Sequence, residues 1–192
     1  MSRPREFDEQ AALDSAMETF WSHTYAGTST ADLCDATGLS RSSLYNTFAG
    51  KAELYQSALR RYHELKSVER DEAVDAEGTG REKLERLLGE ALREQWESDE
   101  RRICLVVNAA VEVGSADETV AALARRNLES FRDLLSQLIA EGQRDGSIAS
   151  TAPARDLAGV VHAALNGVQV ADRVATDDAA GRATVQTLMS LL

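Results

Sequence analysis

Thr28-Ser29-Thr30-Ala31-Asp32-Leu33-Cys34-Asp35-Ala36-Thr37-Gly38-Leu39-Ser40-Arg41-Ser42-Ser43-Leu44-Tyr45-Asn46-Thr47-Phe48 is the stretch on which the reading of this chain turns. Ser29 stands three residues before Asp32, the spacing of a capping box with Asp in place of Glu, so a short helix opens here and runs to about Thr37. Gly38 follows as the turn residue, because a tight interhelical bend asks for the positive φ that glycine adopts without a Cβ penalty. Ser40 is placed to cap a further helix from Arg41 to about Phe48. Leu33 and Leu44 are spaced to pack inside the angle between the two helices, with Leu39 closing the corner and Phe48 joining the core. The outward face of the later helix then carries Arg41, Ser42, Ser43, Asn46 and Thr47. Short polar side chains with donors and acceptors are what a helix needs to approach base edges in the major groove. Two short helices around a Gly-containing turn have the order of a helix-turn-helix.

Upstream, Phe7, Ala11, Leu13, Ala16, Met17, Phe20 and Trp21 recur every three or four residues, which predicts an amphipathic helix from Pro4 to about Thr24, ended by Tyr25-Ala26-Gly27. Downstream, Ala49-Gly50 breaks the third helix, and Lys51 starts a long fourth one through Leu54, Leu59, Tyr62 and Leu65 to near Glu77. Gly78-Thr79-Gly80 is the clearest boundary, and helices are expected beyond it at about 81–98, 103–114, 117–144, 154–175 and 178–191. The expectation is therefore an all-α chain of about nine helices, divided into residues 1–50 and residues 51–192, with the helix from Lys51 linking the two. The helix from Ala154 is apolar nearly all round, with Leu157, Val160, Val161, Leu165, Val168 and Val170. Such a helix is buried on more than one side, against a partner subunit or within its own domain. Val185, Leu188, Met189 and Leu192 of the last helix extend the same surface.

The net charge of −11 argues at first against a nucleic-acid partner, since phosphate binding needs Lys and Arg. Its distribution matters more: residues 1–66 carry −2 and residues 67–192 carry −9, and no carboxylate stands between Asp35 and Glu53. Apolar residues make up 43% of the chain, enough for a sizeable core. No apolar run approaches the roughly 18 residues that span a bilayer, and MSRPREFDEQ has no apolar signal region, so a cytoplasmic protein without a membrane partner is expected. Cys34 and Cys104 are too few and too far apart for a disulfide framework or a zinc site. His23, His63 and His162 lack metal-ligand spacing, and no nucleophile elbow, phosphate loop or dinucleotide fingerprint is present. Neither catalysis nor a catalytic residue, metal or cofactor is expected.

The segment Phe20-Trp21, Tyr25, Thr28 to Leu33 and Thr37 to Leu54 resembles the head of the TetR/AcrR family of transcriptional regulators, and the piece G-L-S-R-S-S-L-Y-N-T-F-x-x-K is its most specific part. The resemblance, over about residues 7–62, implies a three-helix DNA-binding head with its helix-turn-helix. The body it implies is helical, holds a ligand cavity and dimerises through a four-helix bundle. By the same resemblance Thr30 and Ser43 offer hydroxyls to phosphates, Tyr45 places its phenol on one, and Lys51 binds another at the N-terminus of the fourth helix. Arg41, Ser42 and Asn46 are implied readers of bases, with Arg41 for a guanine edge and Thr47 on the same face; Arg3 and Arg5 are implied as an arm on the backbone.

In the body, Cys104 to Glu112 resembles a segment common in one branch of the family, where Gly rather than Ile103 often precedes the Cys. Some members sense electrophiles through cysteine, which marks Cys104, although a Cys on an apolar helix is more often a small buried hydrophobe. Trp96, Asn108, Phe131, His162 and Asn166 are polar or aromatic residues within apolar helices and are candidate ligand contacts; His162 and Asn166 lie one turn apart. The resulting expectation is a repressor that binds a near-palindromic, double-stranded operator as a homodimer and is released by an unidentified small-molecule effector. The alternative is a helical ligand-binding or interaction protein whose head does not bind DNA.

Overall fold

The computed structural model describes residues 8–98 and 100–192. The contributions expected of Pro4 and Phe7 to the first helix, and of Arg3 and Arg5 as an arm, lie outside the described residues. Among these, nine helices and no strand are found: α1 (Glu9–Gly27), α2 (Thr30–Thr37), α3 (Arg41–Phe48), α4 (Lys51–Asp75), α5 (Gly80–Glu97), α6 (Leu105–Glu112), α7 (Glu118–Asp145), α8 (Ala154–Asp172) and α9 (Ala179–Ser190). They form two compact units. The first comprises the described residues through Leu65 together with Leu105–Arg125; the second comprises Lys66–Cys104 and Arg126–Leu192. α4 and α7 each contribute residues to both.

The first unit is begun by local signals. Asp8 caps α1, its Oδ1 accepting from the backbone N–H groups of Gln10 and Ala11 at 2.9 and 3.3 Å. Both halves of the predicted capping box form: Ser29 Oγ accepts from Asp32 N at 3.2 Å, and Asp32 Oδ2 accepts from Ser29 N at 2.7 Å. A cap of this kind contributes about 1 kcal/mol. Gly38 ends α2 at φ 68°, ψ 12°, the left-handed conformation that the turn requires. Leu33 and Leu44 are fully buried, and Leu39 and Phe48 are buried beside them. Each such side chain contributes about 1.5–3 kcal/mol by leaving water. Phe20, Tyr25 and Tyr55 form an aromatic cluster, with Phe20 and Tyr55 edge to face at 4.8 Å between centroids and Tyr25 at 4.9 Å from Tyr55. Trp21 is core, packed edge to face on Tyr62 at 5.2 Å.

α1 departs from the expected end at Thr24. It runs on to Gly27, but across a break at Thr24, whose φ of 66° and ψ of 172° are non-helical. A β-branched residue with positive φ costs about 1–3 kcal/mol and persists only where its surroundings hold it.

In the second unit, Leu84, Leu88 and Leu92 of α5 meet Leu135, Leu138 and Ile139 of α7 and Val161, Leu165 and Val168 of α8 in one core that also takes in Met189 and Leu192. Gly80 lets α5 cross α7 closely: a Cβ there would stand 2.1 Å from Gly142 N and 2.5 Å from Leu138 O. Thr79 caps α5 through a box with Glu82. The nearly all-apolar α8 buries one face only. Val160, Ala163, Gly167, Val170 and Ala171 are exposed on the other, and Val174, just past the helix end, is 85% exposed.

Candidate nucleic-acid interface

Burial alternates along α3 as a recognition helix demands. Leu44 and Phe48 face inward, while Arg41, Ser42, Tyr45 and Asn46 are exposed and Ser43 and Thr47 half-buried. Arg41 and Tyr45, like Ser42 and Asn46, are one turn apart, so the four make a continuous outward strip. The first turn is organised by hydroxyls: Ser40 Oγ accepts from Ser43 N at 3.2 Å and lies 3.0 Å from Ser42 Oγ and 2.9 Å from Ser43 Oγ. Capping thus fixes the backbone from which Arg41, Ser42 and Ser43 project. The Arg41 guanidinium lies 5.8 Å from the centre of the Tyr45 ring, within cation–π range.

Tyr45 keeps 42% of its surface in solvent. It leans over Gly50, where a Cβ would meet Tyr45 Cε1 at 3.7 Å. The phenol therefore stands beside the start of α4, whose first residue is Lys51. The half-buried Lys51 holds its Nζ 4.3 Å from the centre of the Tyr25 ring. Its ammonium and the positive end of the α4 dipole would act together on an anion placed there. Thr30, half-buried in the first turn of α2, presents a hydroxyl next to a second helix N-terminus. Of the carboxylates nearby, Asp32 is engaged in the α2 cap, while Glu53 stands in the first turn of α4, its Oε2 3.2 Å from where a Gly50 Cβ would lie. The cap holds the Asp32 carboxyl below its ordinary range, first through the Ser29 backbone N–H.

The residues proposed from sequence as ligand contacts do not form one group. Phe131 and His162 come together edge to face at 5.1 Å, and Arg70, which the sequence reading missed, lies over the other ring at 5.5 Å from the Phe131 centre. Arg70 donates to Asn127 Oδ1 at 2.7 Å and to Ser130 Oγ at 3.1 Å. Burial, with the Arg132 and Arg70 charges, pushes the His162 imidazole down to about 4, so it is neutral at physiological pH. Asn166, half-buried, lies one turn from His162. Trp96 lines a different place, a cavity of about 790 Å³ between α5 and α9 with Leu92, Val185 and Met189. Its indole donates to Asp172 Oδ2 at 3.0 Å, and the Arg101 guanidinium covers its face at 4.0 Å. Asn108 belongs to the first unit, with a buried Nδ2 that has no hydrogen-bond partner. Cys104 precedes α6 rather than lying within it, and is half-buried.

Arg70 escaped notice because the charged end of α4 reads as a solvated face, and its partners lie 57 and 60 residues away. Glu112 was missed for the same kind of reason. It closes an apolar segment, yet it reaches α1: Oε1 accepts from Thr24 Oγ1 at 3.1 Å and from Ala26 N at 2.7 Å, and Oε2 accepts from Tyr25 N at 2.9 Å.

Comparison with known proteins agrees with this geometry. Residues 12–58 match bacterial regulatory proteins of the tetR family, and residues 80–188 match the tetracyclin repressor-like C-terminal domain. The chain is 31% identical over 133 residues to YezE of Bacillus subtilis (strain 168), an uncharacterized HTH-type transcriptional regulator, with 69% of each chain covered. It is 50% identical over 60 residues to the HTH-type transcriptional repressor ComR of Escherichia coli (strain K12), covering 31% of this chain and 29% of that one. Among solved structures, a cysteine mutant of the regulator CifR, complexed with 26-base-pair double-strand operator DNA, is similar with a TM-score of 0.84 and 29% identity over 98% of both chains. A regulator from Agrobacterium tumefaciens shares the fold at a TM-score of 0.86 and 20% identity, over 96% of this chain and 99% of that one.

Proposed function

The chain belongs to the TetR family of bacterial regulatory proteins, and from that premise we propose that it is a cytoplasmic repressor that binds a near-palindromic operator as a homodimer and leaves it when a small-molecule effector binds the body. One observation carries the DNA-binding reading: the exposed strip Arg41, Ser42, Tyr45 and Asn46 on α3 stands next to Lys51 at the N-terminus of α4. That is a base-reading surface flanked by a phosphate site, on a scaffold similar over its whole length to one solved on operator DNA. In this reading residues 1–50 bind DNA and residues 51–192 sense and dimerise. Arg41 reads a base edge with Ser42, Asn46 and Thr47 beside it, and Thr30, Ser43, Tyr45 and Lys51 hold phosphates.

The exposed apolar face of α8 supports the homodimer. Val160 and Val170, at 59% and 53% exposure, lie on one side with Ala163 and Gly167 between them, so a second copy can approach closely and remove them from water. The effector site proposed is at Phe131 and His162, with Asn166 near. Arg70 belongs to the same α4 that begins at Lys51, so a ligand displacing Arg70 from Phe131 acts on the helix that carries the phosphate contact. Reversing occupancy from 1:99 to 99:1 takes a differential ligand affinity of about 5.5 kcal/mol.

Anisotropy titrations of labelled duplexes at several salt concentrations test the DNA reading. Arg41→Ala is expected to cost about 1–3 kcal/mol at one base position and to relax the preference there. Lys51→Ala is expected to weaken all sequences alike and to reduce the salt slope by about one unit. An Arg41→Ala protein with unaltered sequence preference contradicts the role given to Arg41, and an unaltered salt slope does the same for Lys51.

A further inference from the structure

The break in α1 poses a problem of satisfaction. Where the helix is interrupted at Thr24, the N–H groups of Tyr25 and Ala26 turn away from the helical ladder and need other acceptors. Both find the Glu112 carboxylate, at 2.9 and 2.7 Å, and the Thr24 hydroxyl joins them at 3.1 Å. A residue on α6, 86 to 88 positions along the chain, is thus the acceptor that holds an otherwise strained backbone. A carboxylate suits this place because it only accepts, and does so more strongly than a neutral oxygen.

The break also aims a side chain. Tyr25 is the first residue beyond Thr24, and its ring lies against Tyr55 at 4.9 Å with Lys51 Nζ at 4.3 Å from its centre. A second contact grips α4 from the same corner of the chain. Asp117, which caps α7 by accepting from Thr119 N and Val120 N, also accepts from Gln56 Nε2 at 3.1 Å. The end of α6 and the segment after it therefore hold both α1, which carries Tyr25, and α4, which carries Lys51.

We propose that Glu112 is a positioning residue for DNA binding: it fixes the Thr24–Ala26 backbone, and through the Tyr25 ring it sets the Lys51 ammonium where a phosphate oxygen meets it. This rests on the reading of Lys51 as a phosphate contact. It gives α6 a direct hold on the DNA-binding surface through α1, separate from the path along α4. Displacing α6 by a fraction of a hydrogen-bond length releases three contacts together.

A double-mutant cycle on the full-length dimer tests the proposal, with a labelled random-sequence duplex at low salt as the probe, since a phosphate contact is blind to sequence. Glu112→Gln keeps the size of the side chain but presents an amide N–H₂ where one oxygen had accepted. It is expected to weaken binding about tenfold, as loss of a charge-assisted hydrogen bond does, and to lower the salt slope toward that of Lys51→Ala. Added to Lys51→Ala, it is expected to cost almost nothing further. Tyr25→Leu, which leaves Glu112 in place, is expected to show the same non-additivity and serves as the deciding variant if Glu112→Gln does not fold. Equal losses from Glu112→Gln with and without Lys51, or an unchanged affinity, overturn the proposal. If Lys51→Ala retains its effect in that outcome, the phosphate reading survives; if Lys51→Ala alone changes nothing, both fall.

Discussion

Lowering the pH should weaken the folded protein through one residue of the second unit, His162. The imidazole is 6% exposed, packed on Phe131 of α7, and the guanidinium groups of Arg70 from α4 and Arg132 from α7 bear on it. Burial foremost, and then those two positive charges, push it down to about 4 from an ordinary value of 6.5. The unfolded chain therefore takes up a proton below about 6.5 that the folded chain refuses until about 4. Folding stability is fully present above the higher value and falls as pH drops through the window between the two. At about 1.4 kcal/mol for each tenfold in proton affinity, the gap corresponds to a loss of about 3 kcal/mol across that window. That is a large share of the stability of a typical domain, about 5–15 kcal/mol. Urea unfolding followed by circular dichroism, at pH 7.5 and pH 4.5 and one protein concentration, measures it. The His162→Leu protein should lose less stability on acidification than the wild type by about 2–3 kcal/mol, since it shares every other titrating group. Parallel losses in the two proteins would refute the reasoning, and would mean that the folded state takes up the proton as readily as the unfolded one.

Other outcomes follow from the packing. Gly80→Ala should destabilise by about 3 kcal/mol or more, because its Cβ would meet the α7 backbone and α5 would have to move away. Gly89→Ala in the same helix, with nothing within 4 Å of the new Cβ, should stabilise by about 0.5–1 kcal/mol; thermal melting compares the two. Gly38→Ala meets no atom but forces an alanine into φ 68°, and should cost about 1–2 kcal/mol in the same assay. Val170→Glu on the exposed face of α8 should shift the protein toward monomer in analytical ultracentrifugation and weaken DNA binding with it; an unchanged dimer would remove that face from the interface.

What could be read along the chain was what is decided within a few residues. Ser29 with Asp32, Ser40 with Ser43, and Gly38 act on neighbours in sequence, so the helix-turn-helix was legible with nearly its observed ends. The apolar run of α8 was legible in the same way, although within the chain only one of its faces is buried. What escaped was decided by partners far along the chain: Arg70 by Asn127 and Ser130, Asp172 by Trp96, and Glu112 by Thr24, Tyr25 and Ala26. A charged residue reads as solvent-facing until the fold supplies the acceptor or donor that holds it. Trp96 was legible as a residue of interest, but its capture by Asp172 and Arg101, away from His162, depends on where α5 and α8 meet.

Whether the head reads DNA is decided by selecting duplexes from a random library with the protein. A near-palindrome whose half-sites lie about 34–36 Å apart or a multiple of that should be enriched, bound more weakly as salt rises, with one position losing its preference in Arg41→Ala. A wild-type protein that enriches no motif over random duplex would contradict it.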